Sequence, residues 1–554
     1  MDMKSRLVSV LKGDVSDATT ERAKYARDTS LFERTPSLVV YPKNAADVSL
    51  LVKAVHDAKQ SGENVSVTAR AAGTCMSGGS LTRSVVAVFT KYMNRVIEVG
   101  DGYAVTEPGA YYRDFEKATL AKGQILPSYP ASRSICAMGG IVNNNSGGER
   151  TLEYGKTERY VEEVDVVLSD GSQATFKALG PDELDAKKKQ TNLEGEIYRR
   201  MSELLIKNRE LIELHRPKVS KNSAGYALWN VLDIENGTFN LAKLICGAQG
   251  TLALMTKAKL SLVKPKAHRA MLVIYLPSNH GHAKLEVLPE IVRKILPFNP
   301  ESFESYDDHT LALAVKFLPQ MLSQMGLLRA MRLGFSFVPE VLTAAAGGIP
   351  KLILMAEFAE NTLEEADAKA LAAKNALEGM GLPMHIEKNE KESEKFWIVR
   401  RESFALLRKN LSGLYAAPFI DDFVVPPDSY PQFLPELNAL LAKYDLIYTI
   451  AGHIGNGNFH IIPLMDLSKP ETKSVVLELS PKVYDLVIKY GGTTTGEHND
   501  GIIRTPYLEQ LFGPEMTRLF RETKHIFDPL DIFNPGKKVG GTFADIEDSF
   551  LKKA

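Results

Sequence analysis

The sequence predicts an α+β protein built from more than one domain, and three observations carry that expectation. The chain has 554 residues, whereas a single core stops growing at roughly 250–300 residues. Its first half, to about Lys264, reads as short strands and turns with few helices. Its second half alternates strand-like runs with long helix-like runs, the pattern of a sheet covered by helices.

Taken in order, Leu38-Val39-Val40-Tyr41 reads as a strand ended by Pro42. Asn44 then reads as a helix N-cap with Asp47 as its acidic partner. Val48, Leu51, Val52 and Val55 follow at i, i+3, i+4 and i+7 on one helix face, and Gly62 stops the helix. Val65 and Val67 alternate with polar residues as in a strand. Further strands are expected over Ser84–Thr90, over Val161–Leu168 before the turn Ser169-Asp170-Gly171, and over Thr251–Leu262. Lys264-Pro265-Lys266 marks a boundary. Beyond it, strands over Ala270–Leu276, Lys351–Ala356 and Phe419–Val425 alternate with helices that include Leu363–Met380 and Pro431–Tyr444, and Leu446–Ile450 returns as a strand. The expected division is 1–264, 265–500 and a segment 501–554 packing back on the first domain.

Lys+Arg is 67 against Asp+Glu 68, a net charge of −1, so the basic surplus of a nucleic-acid binder is missing. Cys75, Cys136 and Cys246 are far apart with no Cys-x-x-Cys, which excludes an all-cysteine iron–sulfur cluster or zinc site within the chain and fits a reducing compartment. Met1–Asp14 is charged and lacks a long apolar core, so it does not read as a secretory signal. No run approaches about 18 apolar residues, so no membrane span is expected. These features describe a cytoplasmic protein.

Two glycine-rich loops carry the first chemical signal. Arg70-Ala71-Ala72-Gly73-Thr74-Cys75-Met76-Ser77-Gly78-Gly79 follows a strand, and Gly139-Gly140-Ile141-Val142-Asn143-Asn144-Asn145-Ser146-Gly147-Gly148 has the same character. Glycines let successive N–H groups approach an anion as a concave nest. Thr74 and Ser77 add hydroxyls and Arg70 adds charge, so the two loops suit the two sides of a pyrophosphate. Neither shows G-x-G-x-x-G opening a helix, which argues against a nicotinamide cofactor. With Tyr154-Gly155 and Gly247-x-x-Gly250-Thr251-Leu252 following in order, the half resembles the FAD-binding domain of the vanillyl-alcohol-oxidase/PCMH flavoprotein superfamily. The resemblance implies a PCMH-type FAD-binding domain of two α+β subdomains. It assigns Arg70, Ala72, Gly73, Thr74, Ser77, Gly78, Gly79, Ser132, Gly139, Gly140, Asn145, Gly147, Gly148, Tyr154, Gly250 and Thr251 to the cofactor. Thr74 stands where members with covalent flavin carry His, which implies non-covalent FAD. Gln249 replaces the family's usual Glu and reads as the loss of an exposed charge.

The second signal is His453-Ile454-Gly455-Asn456-Gly457-Asn458-Phe459-His460. On one straight strand, histidines seven apart face opposite ways. A tight turn at Gly-Asn-Gly-Asn allows both imidazoles to meet. With Gly496-Glu497-His498 downstream, two histidines and a carboxylate make a first shell for Zn²⁺, Mn²⁺ or Fe²⁺, and His498 is left to act as a base. These motifs, with the tail Phe527-Asp528-Pro529-Leu530-Asp531-Ile532-Phe533-Asn534-Pro535-Gly536-Lys537, resemble the substrate domain of the D-lactate dehydrogenase / D-2-hydroxyglutarate dehydrogenase / glycolate oxidase D-subunit group. The resemblance implies an α+β cap domain with an antiparallel sheet. It makes His453, His460 and Glu497 metal ligands, with zinc favoured, and His498 the general base. Where the group has Gly-Glu-His-Gly, this chain has Asn499.

Trp397-Ile398-Val399-Arg400-Arg401-Glu402 resembles the group's Trp-x-x-Arg motif, whose arginine holds the substrate carboxylate, a task suited to a planar guanidinium. Arg400 is assigned to it. Ile420 aligns with a lysine of the hydroxyglutarate-type members, which argues for a smaller or apolar acid such as D-lactate. The expected reaction is oxidation of a D-2-hydroxy acid to the 2-keto acid by hydride transfer to flavin N5. The rivals are a flavin oxidase using O₂, a D-2-hydroxyglutarate or glycolate dehydrogenase, a metal-dependent hydrolase lacking flavin, and an inactive scaffold. Electrons would leave to an external quinone, cytochrome, electron-transfer flavoprotein or iron–sulfur partner subunit, which allows a peripheral membrane location. A homodimer stays open.

Overall fold

The structure, a computed structural model, describes residues 2–276, 278–279, 282–283, 285–308, 310, 352–387, 392–400, 413–467 and 469–551. Lys351, Arg401 and Glu402, which belong to expected elements, lie outside these residues.

Three large sheets organise the described chain, beside a two-stranded pairing of Ser278–Asn279 with His282–Ala283. The first has four strands. Leu38–Tyr41 and Val67–Arg70 pair in parallel with Val85–Val88 between them, and Asp14–Ser16 adds antiparallel to Leu38–Tyr41. Leu38–Tyr41 and Val85–Val88 are buried along their whole length, which explains continuous valines in place of alternation. The helix Ala45–Gln60 covers the sheet, with Val48, Leu51, Val52 and Val55 inward and the Asn44 side chain accepting the Asp47 N–H. Gly62, at φ +92°, makes the turn that follows it.

The second sheet orders seven antiparallel strands as Val96–Val99, Tyr103–Thr106, Leu254–Ser261, Val161–Val167, Gln173–Leu179, Thr238–Asn240 and Leu232–Asp233. The third belongs to the C-terminal half. Its order is Met384–Glu387, His268–Leu276, Leu352–Glu360, Ser302–Asp307, Ile447–His453, Asn458–Met465 and Tyr415–Ala416, with Phe423–Val424 also against Asn458–Met465. All its described pairings are antiparallel, as the cap reading expected. Helices Leu363–Ala376, Tyr430–Leu441 and Pro470–Lys489 pack on it. Together these elements make an α+β fold.

One expected strand shrinks. Phe419–Val425 keeps only Phe423–Val424 as strand, because Asp422 turns the chain with φ +70°. The segment after the helix Leu508–Phe527 runs back along the edge strand Val67–Arg70 of the first sheet. Val67 N donates to Ile532 O at 2.8 Å, and Asn534 N donates to Val67 O at 3.0 Å. Asn534 Nδ2 donates to Gly79 O and Gln249 O at 2.9 and 2.8 Å, joining the first glycine loop and the Gly247–Gly250 segment to the tail.

Candidate active site

The two glycine loops face each other across a cavity of about 320 Å³. Ala72, Gly73, Thr74 and Gly79 line it from one side, and Gly139, Gly140 and Gly147 from the other, with Ser132 and Gly250 completing the wall. A Cβ added to Gly140 would meet nothing nearer than Ala71 at 3.9 Å, so the missing side chain leaves open cleft. Among the described residues, the N–H groups of Ala72, Gly73, Thr74 and Gly140 donate to no protein acceptor. The cleft therefore offers free N–H donors between uncharged loops, with Glu497 and His498 at one end. That set of donors and space fits a pyrophosphate-bearing flavin.

The other residues assigned to the cofactor lie outside the cleft lining. Arg70 turns its guanidinium away, donating to the carbonyls of Tyr25 at 3.2 Å and Arg27 at 2.6 Å, so it braces the N-terminal segment. The Ser77 hydroxyl donates to His498 O at 3.2 Å. Gly78 packs against Phe32 and Ile502. Asn145 bonds Glu158, and Gly148 sits against the Tyr129 carbonyl. Tyr154 accepts the Tyr160 hydroxyl on its carbonyl, and Thr251 bonds Tyr226. Gln249 is not an exposed site. It lines the cleft, accepts the Gly501 N–H at 2.9 Å and donates to Asn144 at 3.3 Å.

The paired histidines meet as the turn predicts. Ile447–His453 and Asn458–Met465 form a hairpin in which His453 lies opposite Asn458 and His460 opposite Ala451. The ring centroids of His453 and His460 are 5.2 Å apart. Glu497 Oε1 lies 3.3 Å from His453 Nε2 and 3.6 Å from His460 Nε2. An ionised carboxylate only accepts, so the rings direct their Nδ1–H groups to carboxylates, His453 to Glu304 at 2.6 Å and His460 to Asp421 at 3.0 Å. Both Nε2 atoms are thereby left facing Glu497. Histidines held by carboxylates on their far nitrogens are the usual surroundings of a divalent ion. Burial pushes the Glu497 carboxyl up, but Lys221 and His453 outweigh it and hold the group well below the usual carboxylate range. Burial lowers His460. Burial pushes His453 down too, but Glu304 outweighs it and raises that ring. His453 must therefore give up its proton where His460 is already favoured neutral; with that, the ionised carboxylate and two imidazoles are a donor set that fits Zn²⁺, Mn²⁺ or Fe²⁺.

His498 stacks on His460 with centroids 5.1 Å apart and donates Nδ1–H to Asp421 Oδ2 at 2.6 Å. One carboxylate thus orients both rings. Burial pushes His498 down, but Asp422 and Asp421 outweigh it and raise it to about 9. A divalent ion held beside it by His453, His460 and Glu497 would supply the opposing charge that favours the neutral ring. Arg400 adjoins this group, with Nη2 3.3 Å from Glu304 Oε2 and a buried Nε that has no hydrogen-bond partner among the described residues.

Backbone strain holds the loop that carries Glu497. Asp422 sits at φ +70°, and its carboxylate accepts the N–H groups of Glu497 at 3.0 Å and His498 at 2.7 Å and the Thr495 hydroxyl at 2.5 Å. Asn499 sits at φ +68°, where the resembling group has glycine. Asparagine tolerates that region, and here its Nδ2 donates to Gly247 O at 2.9 Å and Asn144 O at 3.2 Å.

Comparison with known proteins resolves the ancestry. Residues 36–177 match the family described as FAD binding domain, and residues 267–538 match FAD linked oxidases, C-terminal domain. The chain belongs to the FAD-linked oxidase family. This FAD-linked oxidase homologue is 26% identical to D-2-hydroxyglutarate dehydrogenase of Haemophilus influenzae across 95% of its own length and 50% of the relative's. It therefore spans about half of that protein. It is 26% identical to glycolate oxidase subunit GlcD of Bacillus subtilis, covering 97% of this chain and 96% of the relative. Against D-lactate dehydrogenase of Archaeoglobus fulgidus the identity is 26%, with 92% and 96% covered. Its fold is that of 4-ethylphenol oxidase from Gulosibacter chungangensis, at TM-score 0.68, 15% identity and 98% and 97% coverage. It is also that of p-cresol methylhydroxylase, at TM-score 0.66, 15% identity and the same coverage.

In this FAD-linked oxidase homologue four site residues escaped the sequence reading: Glu304, Asp421, Asp422 and Lys221. Asp421 and Asp422 follow Ile420, but an acidic pair near a strand carries no signal of its own. Ile420 itself is buried in the apolar core.

Proposed function

We propose that the protein oxidises a D-2-hydroxy acid to the 2-keto acid, using non-covalent FAD and a divalent ion, and passes the electrons to an external acceptor. The carrying observation is that His498 lines the flavin cleft while stacked on His460 of the candidate metal cluster. Flavin and metal chemistry would therefore act on one substrate. When bound, FAD supplies a hydride acceptor and the divalent ion supplies Lewis-acid polarisation of the substrate hydroxyl. His498 Nε2 takes the hydroxyl proton, and Asp421 stabilises the imidazolium that forms. Arg400, whose guanidinium reaches Glu304 of the same cluster, holds the substrate carboxylate. His453, His460 and Glu497 hold the ion.

D-lactate and D-2-hydroxyglutarate are the substrates to test first, since relatives carrying both names match across more than nine-tenths of this chain. Ile420, standing where hydroxyglutarate-type members carry lysine, is the residue that argues for the smaller acid. An anaerobic visible spectrum decides. Bleaching of the flavin band near ~450 nm by one D isomer and not its L isomer supports the reaction, whereas a protein that stays colourless after FAD is added refutes it. Flavin released into the supernatant on acid precipitation supports non-covalent binding through Thr74's loop.

A further inference from the structure

The cluster draws in one group from the FAD-binding half that neither the flavin nor the histidines account for. Lys221 is 1% exposed. Its Nζ lies 3.0 Å from Glu497 Oε2 and 3.5 Å from Asn458 Oδ1. The two other buried lysines nearby are engaged differently. Lys156 donates to the carbonyls of Asn222 and Gly496 and to Ser223, and Lys538 donates to the carbonyls of Ser223 and Gly225 and pairs with Asp500. Those two tie backbone together. Lys221 is aimed at a metal-ligand side chain.

The two oxygens of Glu497 are divided between partners. Oε2 faces Lys221, and Oε1 faces His453 Nε2 and His460 Nε2. A carboxylate rotates about its last bond, and two free oxygens can both bind one ion. A buried ammonium on one oxygen opposes that rotation, because turning away would leave the charge unpaired in a dry site. The segment carrying Lys221 is itself fixed to the loop it serves. Ser220 Oγ donates to Asn456 O at 2.7 Å, Ser223 N to Thr495 O at 2.9 Å, and Gly225 N to Asp500 Oδ2 at 2.9 Å.

We propose that Lys221 is a positioning residue that holds Glu497 Oε2, so that Oε1 alone faces the ion and a coordination position stays open for substrate. This rests on the metal reading of His453, His460 and Glu497. It also makes the ligand set a joint product of both halves of the chain.

The test uses Co²⁺ as the probe ion in the FAD-loaded, chelator-stripped protein, with the cobalt d–d bands read by magnetic circular dichroism so that flavin absorbance does not mask them. K221M is expected to retain Co²⁺ with its bands moved toward those of a higher coordination number, and to lose about 10–100-fold in kcat/KM. K221Q, which keeps an N–H donor, is expected to restore the wild-type bands in part. It also serves as the test if K221M does not fold. Wild-type cobalt bands in both variants overturn the role of Lys221 while leaving the metal site standing. Wild-type protein that binds no Co²⁺ or Zn²⁺ overturns the metal reading itself. Loss of Co²⁺ binding and of melting temperature together in both variants shows a merely structural lysine and overturns the proposal.

Discussion

Asp421 Oδ2 accepts the Nδ1–H of His498 at 2.6 Å, and the other oxygen of the same carboxylate accepts from His460. A base and a candidate ligand thus share one orienting group, and changing it should disturb both. D421N is expected to lower kcat by about 10²-fold or more, the range general-base catalysis contributes, while the flavin band is retained. Steady-state turnover with an artificial acceptor checks this. Unchanged kcat would remove Asp421 from the mechanism.

Chelation should abolish turnover without bleaching or releasing FAD, because the flavin cleft and the His453–His460–Glu497 group bind by different atoms. Elemental analysis of H460A should show the ion lost. Activity that survives exhaustive dialysis against a chelator, with no metal left in the protein, would exclude a metal-assisted reaction.

R400M should raise KM more than it lowers kcat if the guanidinium anchors the substrate carboxylate. A kcat loss at constant KM would point instead to its pairing with Glu304, 3.3 Å away.

Gly140 tests the cleft. A methyl there meets only Ala71 at 3.9 Å, so G140A should fold normally. The methyl would occupy space meant for the cofactor, and such overpacking costs about 1–3 kcal/mol. FAD affinity is expected to fall about tenfold, read by fluorescence titration of the apoprotein with its melting temperature unchanged.

Stability should depend on pH through Glu357. Burial and the neighbouring Glu301 push its carboxyl up to about 7 from an ordinary 4.5, although Trp397 Nε1 donates to it at 3.0 Å. A raised folded-state pKa means that the folded protein binds the proton more tightly. The stabilisation is therefore full below about 4.5 and lost as pH rises through about 7. E357Q should flatten the melting temperature across that window, and a slope identical to wild type would exclude Glu357 as its source.

Much of the site was legible because its signals are local. Gly-Asn-Gly-Asn between two histidines announces a hairpin, and Asn44 with Asp47 announces a helix start. The remainder depends on contacts that spacing does not encode. Asp421 and Asp422 meet His498 and the Glu497 loop across 75 residues or more, and Lys221 meets Glu497 across 276. Arg70 shows the opposite failure. Its place at the start of a glycine loop suggested charge for a phosphate, but the carbonyls of Tyr25 and Arg27 captured the side chain. Asn499 departs from the group's glycine yet keeps its backbone shape, because asparagine accepts a positive φ and here bonds two carbonyls.

The Asn534 side chain spans Gly79 O and Gln249 O, so the first glycine loop and the Gly247–Gly250 segment share a fastening made 455 residues after Gly79. On a ribosome adding about 5–20 residues per second, Gly79 waits roughly 20–90 seconds for that partner. The nascent chain can shape its first sheet early, but this fastening forms only once residue 534 has been made. Termination before residue 534 would leave Gly79 and Gln249 without this fastening.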